Sequence, residues 1–178
     1  MIRVGILTVS TSGARGERED TSGPAIREIV VDWLGAEVAE AAIVPDELHA
    51  IKAVLVRWAD LDHLDLILTT GGTGFAPQDI TPEATRPLLD RETPGLAEAM
   101  RIEGRKKTPY AMLSREVAGI RGRTLIVNLP GSEKAVRESL AVIMPVLPHG
   151  LELLREEPGA SERHDASKVE ESIREIAD

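Results

Sequence analysis

The sequence predicts an α/β fold, a three-layer αβα sandwich around a mostly parallel central sheet, and three observations carry that prediction. Apolar, β-branched runs alternate with stretches whose apolar residues recur at helical spacing, the pattern of successive βαβ units. Two of the runs, residues 64–69 and 124–129, are nearly continuous in apolar residues, as strands buried on both faces are. Polar or glycine-bearing segments follow these runs, and in a parallel sheet such segments collect along one edge, where ligands bind.

Each element follows from its residues. Val4 to Val9 reads as a strand, the polar stretch Ser10 to Gly23 as a long loop, and Ile26, Ile29, Val30 and Leu34 as one helix face. Val38 to Val44 is a second strand ended by Pro45, and Ile51, Val54, Leu55 and Trp58 repeat at i, i+3, i+4, i+7. The third strand, Leu64 to Thr69, empties into Gly71-Gly72-Thr73-Gly74. Thr81-Pro82 and Thr93-Pro94 each set a capping hydroxyl before a proline, which predicts two short helices. A helix ends at Arg105 to Pro109, and Tyr110 to Arg123 reads equally as helix or loop. Thr124 to Leu129 is a buried strand stopped by Pro130-Gly131. The helix after it carries Val136, Leu140, Ile143, Leu147, Leu151 and Leu154 on one side, with kinks expected at Pro145 and Pro148. Residues 1–155 thus form one domain, and residues 156–178 read as a polar, mobile C-terminal tail.

Composition narrows the function. A chain of 178 residues fits a single domain, given a typical domain of roughly 150. The net charge of −9 repels polyphosphate backbones, and the aromatic residues number only four: Trp33, Trp58, Phe75 and Tyr110. Nucleic acid is therefore not the expected partner. The absence of cysteine excludes disulfides, thiolate catalysis and Cys-based zinc sites, and the four histidines lack metal-ligand spacing. No apolar run approaches the roughly 18 residues that span a bilayer, and Met1 leads straight into a strand, so the expectation is a soluble, cytoplasmic protein without membrane contact. No repeat of solenoid or propeller period is present.

The residues after the strands are the candidates for chemistry. Gly71, Gly72, Thr73 and Gly74 form either a cradle of backbone amides for an anion or a tight turn. The loop matches neither the GxGxxG fingerprint nor a Walker loop, so any nucleotide is held another way. Asp79 is aimed towards whatever the glycines hold, or is a turn residue; Asp46 follows a strand, or caps a helix. If the sheet sets their loops side by side, the two make a carboxylate pair for Mg²⁺ between nucleotide phosphates. Asp20 joins them or only opens the helix at Ser22-Gly23-Pro24. Ser114, Arg115, Arg121 and Arg123 offer phosphate donors, unless the three arginines are solvated surface charge. Pro130-Gly131-Ser132 sits at a helix N-terminus and either binds an anion or caps the helix. The Arg105-Lys106-Lys107 cluster reads as a solvated helix end.

Taken in order, residues 69–85 from Thr69 to Thr85, Glu92-Thr93-Pro94-Gly95, Met112-Leu113-Ser114-Arg115, Gly119-Ile120-Arg121-Gly122 and Leu129-Pro130-Gly131 form a long ordered series. With Leu7-Thr8-Val9-Ser10, Asp20-Thr21-Ser22-Gly23-Pro24 and Val44-Pro45-Asp46-Glu47, that series resembles the molybdenum-cofactor biosynthesis family, in its molybdopterin adenylyltransferase branch. The likeness runs from about Ile2 to Leu154. It implies the three-layer fold, a homotrimer, and transfer of AMP from Mg-ATP to the phosphate of the pterin dithiolene molybdopterin, with release of pyrophosphate. By the same resemblance Asp46 and Asp79 are the catalytic and metal-holding acids. Ser10, Asp20, Ser22, Gly23, Gly71 to Gly74, Ser114, Arg115 and Pro130 to Ser132 then bind nucleotide or molybdopterin. A downstream molybdenum insertase is the macromolecular partner the product calls for. Gln78 departs from the arginine that relatives often carry near this place, removing one phosphate contact. Two other readings accompany this one: a molybdopterin-binding protein of the same fold without catalysis, and a different enzyme built on this domain in a longer chain.

Overall fold

A computed structural model describes residues 1–160. Its centre is a six-stranded sheet formed by β1 (Arg3–Val9), β2 (Glu37–Val44), β3 (Leu66–Thr70), β4 (Arg91–Glu92), β5 (Ala118–Arg121) and β6 (Thr124–Leu129). The strand order is β2-β1-β3-β6-β5-β4. The β2, β1, β3 and β6 strands are parallel, whereas β5 turns back on β6 and β4 pairs antiparallel to β5. The segment that read as helix or loop therefore contains a strand. It holds a 3₁₀ turn at Pro109–Leu113 and then β5, joined to β6 by a two-residue turn with Gly122 at φ 56°.

Side chains alternate between the two faces of the sheet, so each buried strand serves two cores. On one face Val4, Ile6, Leu66, Leu68, Leu125, Val127 and Leu129 pack under α2 (Ser22–Leu34), α5 (Pro94–Lys107), α6 (Glu133–Ile143) and α7 (Leu147–Leu154). On the other, Leu7, Val9, Ile67 and Ile126 meet α3 (Leu48–Val56), the π turn Arg57–Leu61 after it, and α4 (Thr81–Thr85). Trp58 packs against Gly5, where a Cβ would come within 2.7 Å of the ring.

The prolines at 145 and 148 do more than kink a helix. They divide the expected single helix into α6 and α7, because neither proline can donate the intrahelical hydrogen bond and Pro148 sits in the first turn of α7. The helices expected at Thr81-Pro82 and Thr93-Pro94 begin there, but neither threonine hydroxyl caps. Thr81 Oγ1 instead donates to the Gly71 carbonyl at 2.8 Å. Chain packing continues through Ala160, which is buried. The remainder of the expected tail, residues 161–178, lies outside the described residues. Among the described residues no helix is long and apolar enough to cross a membrane.

Candidate functional site

Four loops leave the C-terminal ends of the parallel strands and lie along one edge. The loop after β3 is shaped by glycine. Gly71 has φ 93° and Gly72 φ 65°, the left-handed region that disfavours side chains. A Cβ on Gly71 would lie 2.3 Å from the Val9 carbonyl oxygen, and one on Gly72 would lie 2.4 Å from Thr81 Oγ1. Neighbouring elements thus fill the side of the turn where a side chain would sit. Gly131, after β6, would bring a Cβ within 3.3 Å of the Gly71 Cα, so the β3 and β6 loops touch backbone to backbone. Thr70 Oγ1 donates to the Pro130 carbonyl at 2.6 Å, and Ser22 Oγ donates to the Gly131 carbonyl at 3.0 Å, which adds the start of α2 to the same cluster.

Asp79 closes the far end of the glycine loop. Its Oδ2 accepts from the Ala76 N–H at 3.0 Å, while its own N–H donates to the Ala76 carbonyl at 2.9 Å. Arg115 was a candidate phosphate donor; here its guanidinium bonds the chain itself. Nε donates to the Gly74 carbonyl at 2.7 Å, and the other two nitrogens reach the Asp79 carbonyl and the Glu83 carboxylate. Its N–H also donates to the Thr73 carbonyl at 3.0 Å. Arg115 therefore clamps the loop from Thr73 to Glu83.

Asp46 is held differently. Its Oδ2 accepts from the Thr11 N–H at 2.8 Å and from the Thr11 hydroxyl at 2.7 Å, and Thr11 Oγ1 accepts from the Asp46 N–H at 3.1 Å. The carboxylate does not cap α3, whose N-cap is Glu47. The strand order corrects one premise: β1 lies between β2 and β3, so the Asp46 and Asp79 loops do not leave neighbouring strands. Two strand spacings set those strands about 10 Å apart, with the Ser10–Thr11 segment between. Asp20 sits on the β1–α2 side. Its Oδ1 accepts from the Ser22 and Gly23 N–H groups at 3.1 and 3.0 Å, and its Oδ2 from Thr8 Oγ1 at 2.7 Å. It opens α2 electrostatically as an N-terminal carboxylate does. Ser10 and Ser132 cap α1 (Thr11–Ala14) and α6 through bonds from Gly13 and Ala135.

Beside the glycine loop opens a cavity of about 740 Å³, walled by Met100, Leu113 and Val142 and reached by Gly74 and Gly131. Its volume lies within the range of small-molecule sites. Ser114 lines it, as do Arg101 and Glu116, two residues the sequence reading passed over. Glu116 is only 5 % exposed. Burial pushes its carboxyl above the usual range, opposed by a hydrogen bond from Ser114 and the charge of Arg101. Its signal in the sequence was slight: one charged residue ahead of an apolar strand. Lys107, which read as part of a solvated helix end, lines the cavity too and pairs with Glu138 at 3.3 Å. Arg121 and Arg123 are engaged elsewhere, Arg121 in a two-pronged pair with Asp60 and Arg123 with Glu156.

A family model described as "Probable molybdopterin binding domain" matches residues 5–149. The chain is 48 % identical over 153 residues to the molybdenum cofactor synthesis protein cinnamon of Drosophila melanogaster, covering 86 % of this chain and 26 % of that one. It thus spans about a quarter of the length of the first curated relatives it matches, gephyrin of Dictyostelium discoideum included. A molybdopterin adenylyltransferase of Helicobacter pylori is 42 % identical over 154 residues, covering 86 % of this chain and 88 % of its own. Among solved structures, the molybdopterin biosynthesis enzyme MoaB of Thermus thermophilus superposes with a TM-score of 0.84 at 63 % identity, covering 89 % of this chain and 99 % of that one. A six-stranded α/β sandwich, a glycine-built loop edge and sequence likeness along most of the chain converge: the protein belongs to the molybdopterin-binding domain family of molybdenum-cofactor biosynthesis.

Proposed function

We propose that this chain is a molybdopterin adenylyltransferase, moving AMP from Mg-ATP to the phosphate of molybdopterin and releasing pyrophosphate. The observation that carries the reading is the junction of an anion loop with a ring-sized cavity: Gly74 and Gly131 belong to the glycine edge and also line the 740 Å³ space. The name of the Helicobacter pylori relative, which this chain matches over most of both lengths, supplies the chemistry.

In the reaction a phosphate oxygen of molybdopterin attacks the α-phosphorus of ATP. A P–O bond forms there, the bond to the bridging oxygen of the β-phosphate breaks, and pyrophosphate departs with that electron pair. The attacking phosphate is already anionic, so no side chain need remove a proton. The work left to the protein is alignment and charge stabilisation. Amides of the Gly71–Gly74 turn orient phosphate oxygens, and the wedging of that turn against β1 and Thr81 fixes their direction. Asp46 and Asp79 act from the two sides of the edge. Arg115 is a positioning residue that holds the loop carrying Asp79.

Among the described residues no group of three or more His, Cys, Asp or Glu could hold a metal ion unaided. The two carboxylates Asp46 and Asp79 fit Mg²⁺ carried in by the nucleotide, which takes one or two protein carboxylates beside substrate phosphates. The loop bonds of both aspartates fall on Oδ2, which makes Oδ1 of each the ligand on offer. When bound, the ion supplies charge neutralisation on the triphosphate. The remaining binding set, Ser10, Asp20, Ser22, Gly23, Thr73, Ser114 and Pro130 to Ser132, supports or lines the same edge. A homotrimer is part of the proposal, supported by Ile102, Tyr110 and Met112, which stand exposed on α5 and the 3₁₀ turn; sedimentation at the mass of three chains is the expected result.

The test is incubation of the purified chain with molybdopterin and Mg-ATP, detecting adenylated molybdopterin and pyrophosphate. Equal amounts of both, lost on chelation of magnesium, are expected. Tight molybdopterin binding without product would overturn the transferase reading in favour of a binding protein of the same fold.

A further inference from the structure

We propose that Glu116 is the residue by which this chain recognises the aminopyrimidinone end of a pterin, accepting hydrogen bonds from its 2-amino group and ring N3–H while Arg101 donates to the neighbouring C4 carbonyl. The inference rests on the molybdopterin reading above and deepens it by assigning ring specificity to side chains that no phosphate chemistry uses.

Three observations carry it. The first is placement: Glu116 and Arg101 both line the 740 Å³ cavity that adjoins the glycine loop. The second is that Glu116 stands apart from the other acids there. Glu103 and Glu138 also line the cavity, but each pairs with a lysine, Lys106 at 2.7 Å and Lys107 at 3.3 Å. Glu116 is 5 % exposed, and among the described residues its carboxyl forms no close ion pair: it is met by the Ser114 hydroxyl and feels the charge of Arg101, whose guanidinium donates to the Glu116 backbone carbonyl instead. A buried carboxyl without an ion-pair partner is costly unless something supplies donors. The third is fixation of both groups. The Glu116 N–H donates to Ser114 Oγ at 3.4 Å, and Arg101 Nη1 donates to the Glu116 carbonyl at 3.0 Å, so acid and guanidinium are tied to one backbone unit.

The chemistry of the site selects the ligand end. A carboxylate only accepts and a guanidinium only donates. Side by side they match a planar edge that presents N–H donors next to a carbonyl, which the aminopyrimidinone ring of a pterin does. A phosphate is the wrong partner for Glu116, since two anions repel. The anionic end of the ligand thus belongs on the glycine loop and the ring end in the cavity. Apolar walls from Met100, Leu113 and Val142 suit the faces of a flat ring.

The experiment uses the full chain and two probes that differ at one position. One is the fluorescent air-oxidised derivative of molybdopterin, which keeps the aminopyrimidinone ring and the side-chain phosphate. The other is the same molecule with the 2-amino group replaced by oxygen, as in a lumazine. Wild-type protein is expected to prefer the amino form by about 10- to 100-fold, the worth of a charge-assisted hydrogen bond. Glu116→Gln, which keeps the size but turns one acceptor into a donor, is expected to weaken the amino form at least about 10-fold and erase the preference. Equal binding of both probes by the wild type would overturn the proposal without any variant, as would unchanged discrimination in Glu116→Gln. Binding of the amino probe that is indifferent to Glu116 leaves the molybdopterin reading standing and removes this one. No binding of either probe by the wild type would remove both.

Discussion

The glycine edge and the cavity beside it are built by opposite means. Along the edge, polar groups find partners within the protein: Asp20 on Thr8 and the start of α2, Asp46 on Thr11, Arg115 on two loop carbonyls and Glu83. Its turn is fixed further by backbone packed where side chains would go. The cavity presents mainly apolar surface, with Tyr110 in its wall, Ile102 and Met112 exposed near it and its acids Glu103 and Glu138 paired with lysines, and it carries one deeply buried carboxyl. The difference follows from what each must hold. A phosphate is stabilised by dipoles already in place when charge develops, which demands a rigid backbone. A ring is held by volume, with one or two polar groups to set its orientation.

The edge is the more sensitive of the two to substitution. Asp79→Ala removes a single side-chain hydrogen bond, from the Ala76 N–H within the loop, while the Asp79 backbone bonds to Ala76 and Arg115 remain. AMP transfer should fall by about 10²- to 10³-fold, the usual loss on deleting an electrostatic stabiliser, while thermal unfolding shifts little. Undiminished turnover would show that the acid is only a turn residue. Gly71→Ala strikes the backbone instead. A left-handed position costs roughly 1–2 kcal/mol for a residue with a Cβ, and the approach to the Val9 carbonyl adds to that. Urea titration should show the loss of stability, and activity should fall with it.

A third change separates the edge from the sheet beneath it. Asn128 is fully buried; its Nδ2 donates to Thr69 Oγ1 at 2.9 Å and to Thr85 Oγ1 at 3.0 Å, tying β6 to β3 and α4. Asn128→Ala leaves these hydroxyls without that donor, at a cost of about 1–3 kcal/mol. The urea midpoint should drop while turnover per folded molecule stays close to wild type, because the bonds lie below the loops.

The smallest effect sharpens the cavity side. Burial raises the Glu116 carboxyl in the folded chain, opposed by the Ser114 hydroxyl and the Arg101 guanidinium that face it. Folding therefore favours its protonated form. The associated stability is complete below the ordinary glutamate value and is lost as pH rises through the raised one. Wild type should lose stability over that window relative to Glu116→Gln, read as urea midpoints diverging with increasing pH. Midpoints that run parallel would contradict the burial of an ionisable group there.

Much of this frame was legible in the sequence, for a physical reason. The four parallel strands are apolar runs long enough for their composition to declare them, and the loops after them follow from that. The β4–β5 ribbon was not legible, since strands of two and four residues carry no periodicity and are defined by their partners. Strand order was equally hidden: local spacing cannot say that β1 separates Asp46 from Asp79. Thr11 escaped notice as the partner of Asp46 because the two lie 35 residues apart. Arg115 was legible as an important residue but not as a clamp, because phosphate and a carbonyl-lined loop ask for the same fork of donors.

A crystal structure of the chain bound to molybdopterin would locate both ends of the ligand at once. The expected complex has the phosphate against the amides of Gly71 to Gly74 and the aminopyrimidinone ring in the cavity within hydrogen-bond distance of Glu116. A ligand bound with its phosphate away from the glycine turn, or with its ring outside the cavity, would contradict it.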